Sequence, residues 1–421
     1  SRAAKARCDE SFVANLEQCN GCGGCRKETP TMCPTFIATG EEIMSTRGRA
    51  NAIRAALELR GSNHADPLRC EEIEAALSNC LACKACTAEC PSNVNLALIK
   101  AELQYAKTRR DGLTLRQRMF SAVDFLGRLG CKWPKLTNAL LESMLTRKVL
   151  TRLAGISHER PLPHYTKHRF DRWFDQRQQC PVGKRGRVIL WDDTFVRYHE
   201  PHIGIAAVKV LEAAGFTVTL AEKRKCCGRP AFSVGNLAEA ERLGKHNLAL
   251  FAADAESTPI IFLEPSCYSM FIEDYRELKL AEAARVAGRC FLFEEFMDGV
   301  LRDDPAALKF NAKAGNVAIH VHCHAKALTD SSFMHRLAMR LPERKVSYLD
   351  TGCCGMAGSF GMLEAKYGLS LEVAKPLIEK IRGLPFGTAV VASGTSCRHQ
   401  IAHLAPVRAR HMAEVLAEAL E

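Results

Sequence analysis

At 421 residues, 47% hydrophobic and 25% charged, the chain can bury the cores of two or three domains, and twenty cysteines are too sparse for a small disulfide scaffold. The formal net charge of +11 comes from scattered Lys and Arg, without aromatic platforms or a recognised binding motif, which argues against a nucleic-acid partner and for an acidic partner or a membrane surface. No run of eighteen apolar residues occurs and the opening SRAAKARCDE lacks a secretory apolar stretch, so neither spanning nor export is expected. The expected compartment is reducing and cytoplasmic, with peripheral contact at the cytoplasmic face of a membrane as a further option. The start at Ser1 fits either a processed subunit or the C-terminal piece of a longer polypeptide.

The first block, residues 8–110, carries two dense cysteine motifs separated by the helix-like EEIMSTRGRANAIRAALELR. The first motif contains Cys19, Cys22, Cys25 and Cys33, followed by Pro34; the second contains Cys80, Cys83, Cys86 and Cys90, followed by Pro91. Three thiolates on one short turning loop reach three irons of a cubane, and the fourth iron takes the cysteine that precedes proline in the other motif. One 4Fe-4S cluster is therefore expected on Cys19, Cys22, Cys25 and Cys90, and a second on Cys80, Cys83, Cys86 and Cys33. Two clusters of about −2 each, thiolates included, would lower the net charge to roughly +7. Gly21, Gly23 and Gly24 permit the turns such a loop needs. A zinc ribbon is the competing assignment, and the tripled spacing before each Cys-Pro disfavours it.

Residues 111–180 form a helical segment and then a Pro/His/Arg-rich connector, HERPLPHYTKHRFDRWFDQRQ, which reads as a domain boundary. Between Leu113 and Ile156, apolar Phe120, Phe125, Leu126, Leu140, Met144 and Leu145 interleave with basic side chains such as Arg116, Arg128 and Arg152. That pattern suits surface docking on a membrane or packing against the other domains.

From residue 181 onward, short apolar runs (VILW, FTVTLA, IIFLE, VAIHV, VSYL, AVVAS) alternate with helical stretches, which predicts α/β layers with parallel strands. One module occurs twice, over 181–300 and 301–421. KRKCCGRPAFSVG matches DTGCCGMAGSFG and IIFLEPSCYSM matches VVASGTSCRHQ, roughly 130 residues apart. The same offset sets Asp193 opposite Cys323. Cys323, Cys353, Cys354 and Cys397 follow three predicted strands, whose C-terminal ends converge on one crevice, so they are expected to hold a third iron-sulfur cluster, with zinc as the alternative metal. Cys226, Cys227 and Cys267 form a weaker candidate set in the first module, against which buried structural thiols compete. His320, His322 and His324 alternate and should share a strand face, and His322, His324 and His399 are candidates to tune the site from beside its ligands. Cys8, Cys70, Cys131, Cys180 and Cys290 fit no pattern and read as plain thiols. The fold class that follows is multidomain α+β and α/β: a helical ferredoxin-like domain, then duplicated cysteine-rich CCG modules.

These motifs carry a resemblance. The ferredoxin-type cysteines with STRGRA (Ser45 to Ala50) between them, followed by two cysteine-pair modules, resemble the iron-sulfur subunits of glycolate oxidase and anaerobic glycerol-3-phosphate dehydrogenase, and more distantly the catalytic subunit of heterodisulfide reductase. CCGMAGSFG, GTSCRHQI, CCGRP and EPSC look like the iron-sulfur part of FAD-linked dehydrogenases of D-lactate or D-2-hydroxyglutarate type. The resemblance implies an electron-transfer component that passes electrons from FAD toward quinone or another carrier, with the flavin on a partner subunit or a missing N-terminal domain. A glycerol-3-phosphate dehydrogenase subunit or a thiol-disulfide reductase subunit is the alternative. Cys397 is followed by Arg398, His399 and Gln400, without the terminal Cys-x-x-Cys of heterodisulfide reductase, which weighs against the double-cluster site of that enzyme.

Overall fold

In the computed structural model, which describes residues 11–27, 32–63, 71–178, 183–252 and 258–421, the N-terminal block consists of helices that stop where the cysteine loops begin. Cys8, Cys70 and Cys180 lie outside the described residues. Pro34 opens a helix, Pro34–Thr39, with Cys33 as its cap, because a first-turn N–H has no intrahelical partner to lose. The longer helix Thr46–Asn63 buries Ala50, Ile53 and Ala56, one face at helical spacing. That face packs with Leu16, Ile73, Val94 and Ile99 around the cysteine sulfurs.

The C-terminal half holds two parallel sheets. The first has β1 (Arg187–Trp191), β2 (Thr217–Leu220), β3 (Ile260–Phe262) and β4 (Cys290–Leu292) in the order β2-β1-β3-β4. The second has β5 (Gly315–His320), β6 (Arg344–Tyr348) and β7 (Ala389–Ala392) in the order β6-β5-β7. All six predicted strands form. β4 is additional, a strand whose three residues carry no legible alternation; its Cys290 is fully buried and donates to the Val286 carbonyl at 3.2 Å, an ordinary structural thiol.

Two expectations are corrected by strand ends. β5 stops at His320, His322 caps the helix Cys323–Leu328, and His324 lies within that helix, so the three histidines do not share a strand face. Register sets Trp191 opposite Phe262 in one sheet and His320 opposite Ala392 in the other. Asp193, two residues past Trp191, caps the helix Thr194–Tyr198 as His322, two past His320, caps its own. Asp193 thus corresponds to His322, and Thr194 rather than Asp193 to Cys323; the strand ends differ by one residue from the offset of the cysteine motifs.

Residues 115–154 form helices Leu115–Ser121, Val123–Gly130, Pro134–Glu142 and Met144–Ala154, whose Trp133, Leu136, Leu145 and Leu153 are all more than 60% exposed.

Candidate metal centres

The two N-terminal cysteine loops turn in the same way. Gly21 and Gly23 have φ of 77° and 72°, and Ala82 and Lys84, at the same offsets from the first cysteine of their motif, have φ of 49° and 63°. Left-handed backbone costs a residue with a Cβ about 1–2 kcal/mol, so the second loop needs outside support. It has it: Lys84 Nζ donates to Asp274 at 2.7 Å and to Glu273 at 2.5 Å, while Lys100 Nζ donates to the Cys80 carbonyl. Glu273 and Asp274 sit on a wide helical turn, Met270–Asp274, of the first α/β layer, so an ion pair across the domain boundary clamps the loop. Neither Lys84 nor its acids carried a signal in the sequence, because the partners are remote along the chain.

The structure gathers one of the two expected groupings around a single cavity. Cys33, Cys80, Cys83 and Cys86 line one cavity, together with Arg49 and Thr46. Pro91, next to Cys90, lies against Gly24, where an added Cβ would stand 3.3 Å from the proline ring and 3.6 Å from Cys22 Sγ, so the second motif reaches back to the first loop. The STRGRA segment serves both sets: the Arg47 N–H donates to Cys25 Sγ and the Arg49 guanidinium to Cys33 Sγ, each at 3.2 Å. Cys22 is exposed, whereas Cys33 and Cys80 are buried.

The chemistry of this cavity fits an anionic group. Arg49 is fully buried and donates to the Ala76 carbonyl at 2.7 Å, Thr35 Oγ1 at 2.8 Å and Cys33 Sγ. Among the described residues neither Arg49 nor the buried Lys100 pairs with a carboxylate, and a buried guanidinium cannot shed its proton. A cluster held by four thiolates would supply the missing negative charge. Burial pushes the Cys33 thiol up, but Arg49, Thr35 and the Phe36 N–H more than reverse it. Burial and the neighbouring Cys80 push Cys86 up to about 12, and burial and Cys323 push Cys83 up as well. Metal uptake at such thiols releases protons.

In the second sheet layer Cys323, Cys353, Cys354 and Cys397 lie past the C-terminal ends of β5, β6 and β7, near enough to one another to shift each other's ionisation. Contact with Cys353 and the nearby His322 bring Cys323 down to about 7 despite burial. Cys83, of the ferredoxin-type cavity, and Cys323 and Cys353 line a common second cavity with Glu89 and Lys326. His324 Nε2 lies 3.2 Å from the Ala82 carbonyl, joining the helix after β5 to the second cysteine loop. His399 packs edge-on against Phe195. In the first layer Cys227 Sγ and Cys267 Sγ are 3.0 Å apart and Cys226 contacts Cys227. Asp193 uses one carboxylate oxygen to cap its helix, and the other is buried without a partner. Among the described residues no three His, Cys, Asp or Glu side chains close on one point as around a single ion. Cys131, half-buried, donates to the Tyr198 carbonyl and joins none of these sets.

Residues 15–94 match the 4Fe-4S dicluster domain family, and residues 194–272 and 317–402 match the cysteine-rich domain family. The chain is 27% identical over 334 residues to one of the subunits of anaerobic glycerol-3-phosphate dehydrogenase from Escherichia coli, covering 78% of this chain and 83% of the relative. It is 24% identical over 435 residues to the glycolate oxidase iron-sulfur subunit of the same organism, covering 96% and 94%. It is 25% identical over 449 residues to D-2-hydroxyglutarate dehydrogenase of Pseudomonas putida, covering 94% of this chain and 42% of that longer relative.

Proposed function

We propose, for a chain that joins a 4Fe-4S dicluster domain to two cysteine-rich segments and belongs among the iron-sulfur subunits of FAD-linked hydroxyacid dehydrogenases, that it carries electrons from a flavin on a partner subunit or domain toward quinone or another carrier. The observation that carries the reading is the cavity of Cys33, Cys80, Cys83 and Cys86, walled by a buried cation that pairs with no carboxylate among the described residues and sharing Cys83 with the cavity of Cys323 and Cys353. When bound, 4Fe-4S clusters take up and release single electrons. The protein's part is to hold them close together: Cys22 brings the first set to the surface, no cysteine of the second set is exposed, and the Cys323, Cys353, Cys354 and Cys397 set adjoins the second. We divide the chain into a two-cluster domain (8–110), a helical segment with connector (111–180) and duplicated modules (181–300 and 301–421). The last module holds a third iron-sulfur cluster, and Cys226, Cys227 and Cys267 are a weaker set for which zinc or no metal competes.

Nothing in the chain accepts a hydride. The isolated polypeptide should therefore bind iron and acid-labile sulfide but no flavin, and should not reduce a dye with glycolate, D-lactate or D-2-hydroxyglutarate. Dye reduction by the polypeptide alone would overturn this division of labour. The match to a glycerol-3-phosphate dehydrogenase subunit supports a second reading, in which the flavoprotein partner oxidises glycerol 3-phosphate. Bleaching of the flavin in the native complex by one substrate and not the others separates the two.

The exposed helices of residues 115–154 add a place for peripheral contact with a membrane. No helix among the described residues is long and apolar enough to cross one.

A further inference from the structure

The two cysteine sets of the N-terminal block differ in how the charge around them is balanced. Beside Cys19, Cys22 and Cys25 the cations are wet: Arg47 at 2.8 Å and Arg26 at 2.9 Å share Glu42, and all three side chains reach solvent. Arg54, which donates to the Cys19 carbonyl at 2.7 Å, is partly exposed. Beside Cys33, Cys80, Cys83 and Cys86, Lys84 is matched by Asp274 and Glu273, and Glu89 accepts from the Met32 N–H at 3.1 Å. Arg49 and Lys100 remain, both buried and, among the described residues, both without a carboxylate, one on Cys33 Sγ and the other on the Cys80 carbonyl.

A group that becomes more negative on reduction is easier to reduce beside an unmatched buried cation, and the low dielectric that leaves the cation unscreened makes the effect larger. Burial alone acts in the opposite direction, by penalising added charge. Two buried, poorly screened cations at the ligands of one set, against solvated ones at the other, outweigh that penalty. Resting on the reading that both sets hold 4Fe-4S clusters, we infer that the set of Cys33, Cys80, Cys83 and Cys86 is the higher-potential of the two, and that Arg49 is the positioning residue that makes it so. The step concerned is the uptake of one electron from an external reductant, with no bond made or broken, and Arg49 favours the more negative product. Electrons then come to rest on the set beside Cys323 rather than on the set that includes the exposed Cys22.

The test is a potentiometric titration of the iron-loaded full chain with dithionite, read by electron paramagnetic resonance. Wild type should show two one-electron steps from the N-terminal block. Arg49→Gln should move the upper step to lower potential by a factor of at least ten in its equilibrium constant, about 59 mV, and leave the lower step in place. Lys100→Met should lower the same upper step, and Arg49→Lys, which keeps the charge but loses the fork, should fall between wild type and Arg49→Gln. Movement of the lower step, of both steps equally, or of neither, would overturn the inference. If Arg49→Gln does not retain iron, Arg49→Lys and Lys100→Met decide by the same criterion. Loss of the underlying reading is distinguishable: wild type itself would then lack the two steps.

Discussion

Lys84 illustrates what single residues contribute beyond the cysteines. Its backbone holds a left-handed turn that its own Cβ disfavours, and its ammonium group bridges to Asp274 and Glu273 across a domain boundary. The paired acids raise its pKa against the effect of burial. Lys84→Met should cost about 3 kcal/mol, because it leaves Asp274 and Glu273 short of a partner in a buried site, with Arg229 still 2.9 Å from Asp274 to limit the loss. The thermal midpoint of the iron-loaded protein checks this, and an unchanged midpoint would contradict it. The eight ferredoxin-type cysteines were legible because their spacing is local and their chemistry is specific. Arg49, Lys100 and Lys84 were not, because a cation in a sequence gives no sign of whether its partner is a carboxylate, a carbonyl or a sulfur many residues away.

At the level of elements, the strands were legible from their apolar runs, while their ends were not. Reading the histidines as one strand face fails at His322, where a helix cap ends the alternation, and β4 is too short to show a period. The junction between the two sheet layers was invisible for the same reason as Lys84. There Arg398 pairs with Glu200 at 2.6 Å, and Glu294, on the helix after β4, accepts from Ser393 Oγ at the end of β7. Burial raises the Glu294 carboxyl to about 7 from an ordinary 4.5, with the Ser393 hydrogen bond opposing. Its folded-state pKa lies above the unfolded one, so the stability tied to its protonated form is present below about 4.5 and is lost as pH rises through about 7. Glu294→Gln keeps an acceptor for Ser393 and removes the ionisation. The thermal midpoint of the variant relative to wild type should rise from pH 5.5 to pH 7 and level off above that, roughly the window the raised pKa defines. A difference that does not change with pH would place the ionisation elsewhere.

For the molecule as a whole, the order of blocks could be read from the sequence, but the contact between them could not. Cys83 and Cys323 share a cavity because the second loop is clamped onto the C-terminal half, which no local pattern announces. The helices of residues 115–154 present exposed Trp133, Leu145 and Leu153 among arginines and lysines. Vesicles containing phosphatidylglycerol should float the iron-loaded protein at low salt and release it at high salt, as binding by basic residues within a Debye length requires. Leu145→Glu combined with Leu153→Glu should abolish flotation, and absence of binding at low salt would remove the membrane assignment. The central claim, that the chain is a multi-cluster electron carrier whose third station is the C-terminal thiol set, is tested most directly by metal and acid-labile sulfide analysis of the anaerobically reconstituted protein beside its Cys354→Ser variant. About eight irons in the N-terminal block and about four more in the C-terminal set are expected, with only the latter lost in the variant. An iron count unchanged by Cys354→Ser, or stoichiometric zinc in the native protein, would contradict it.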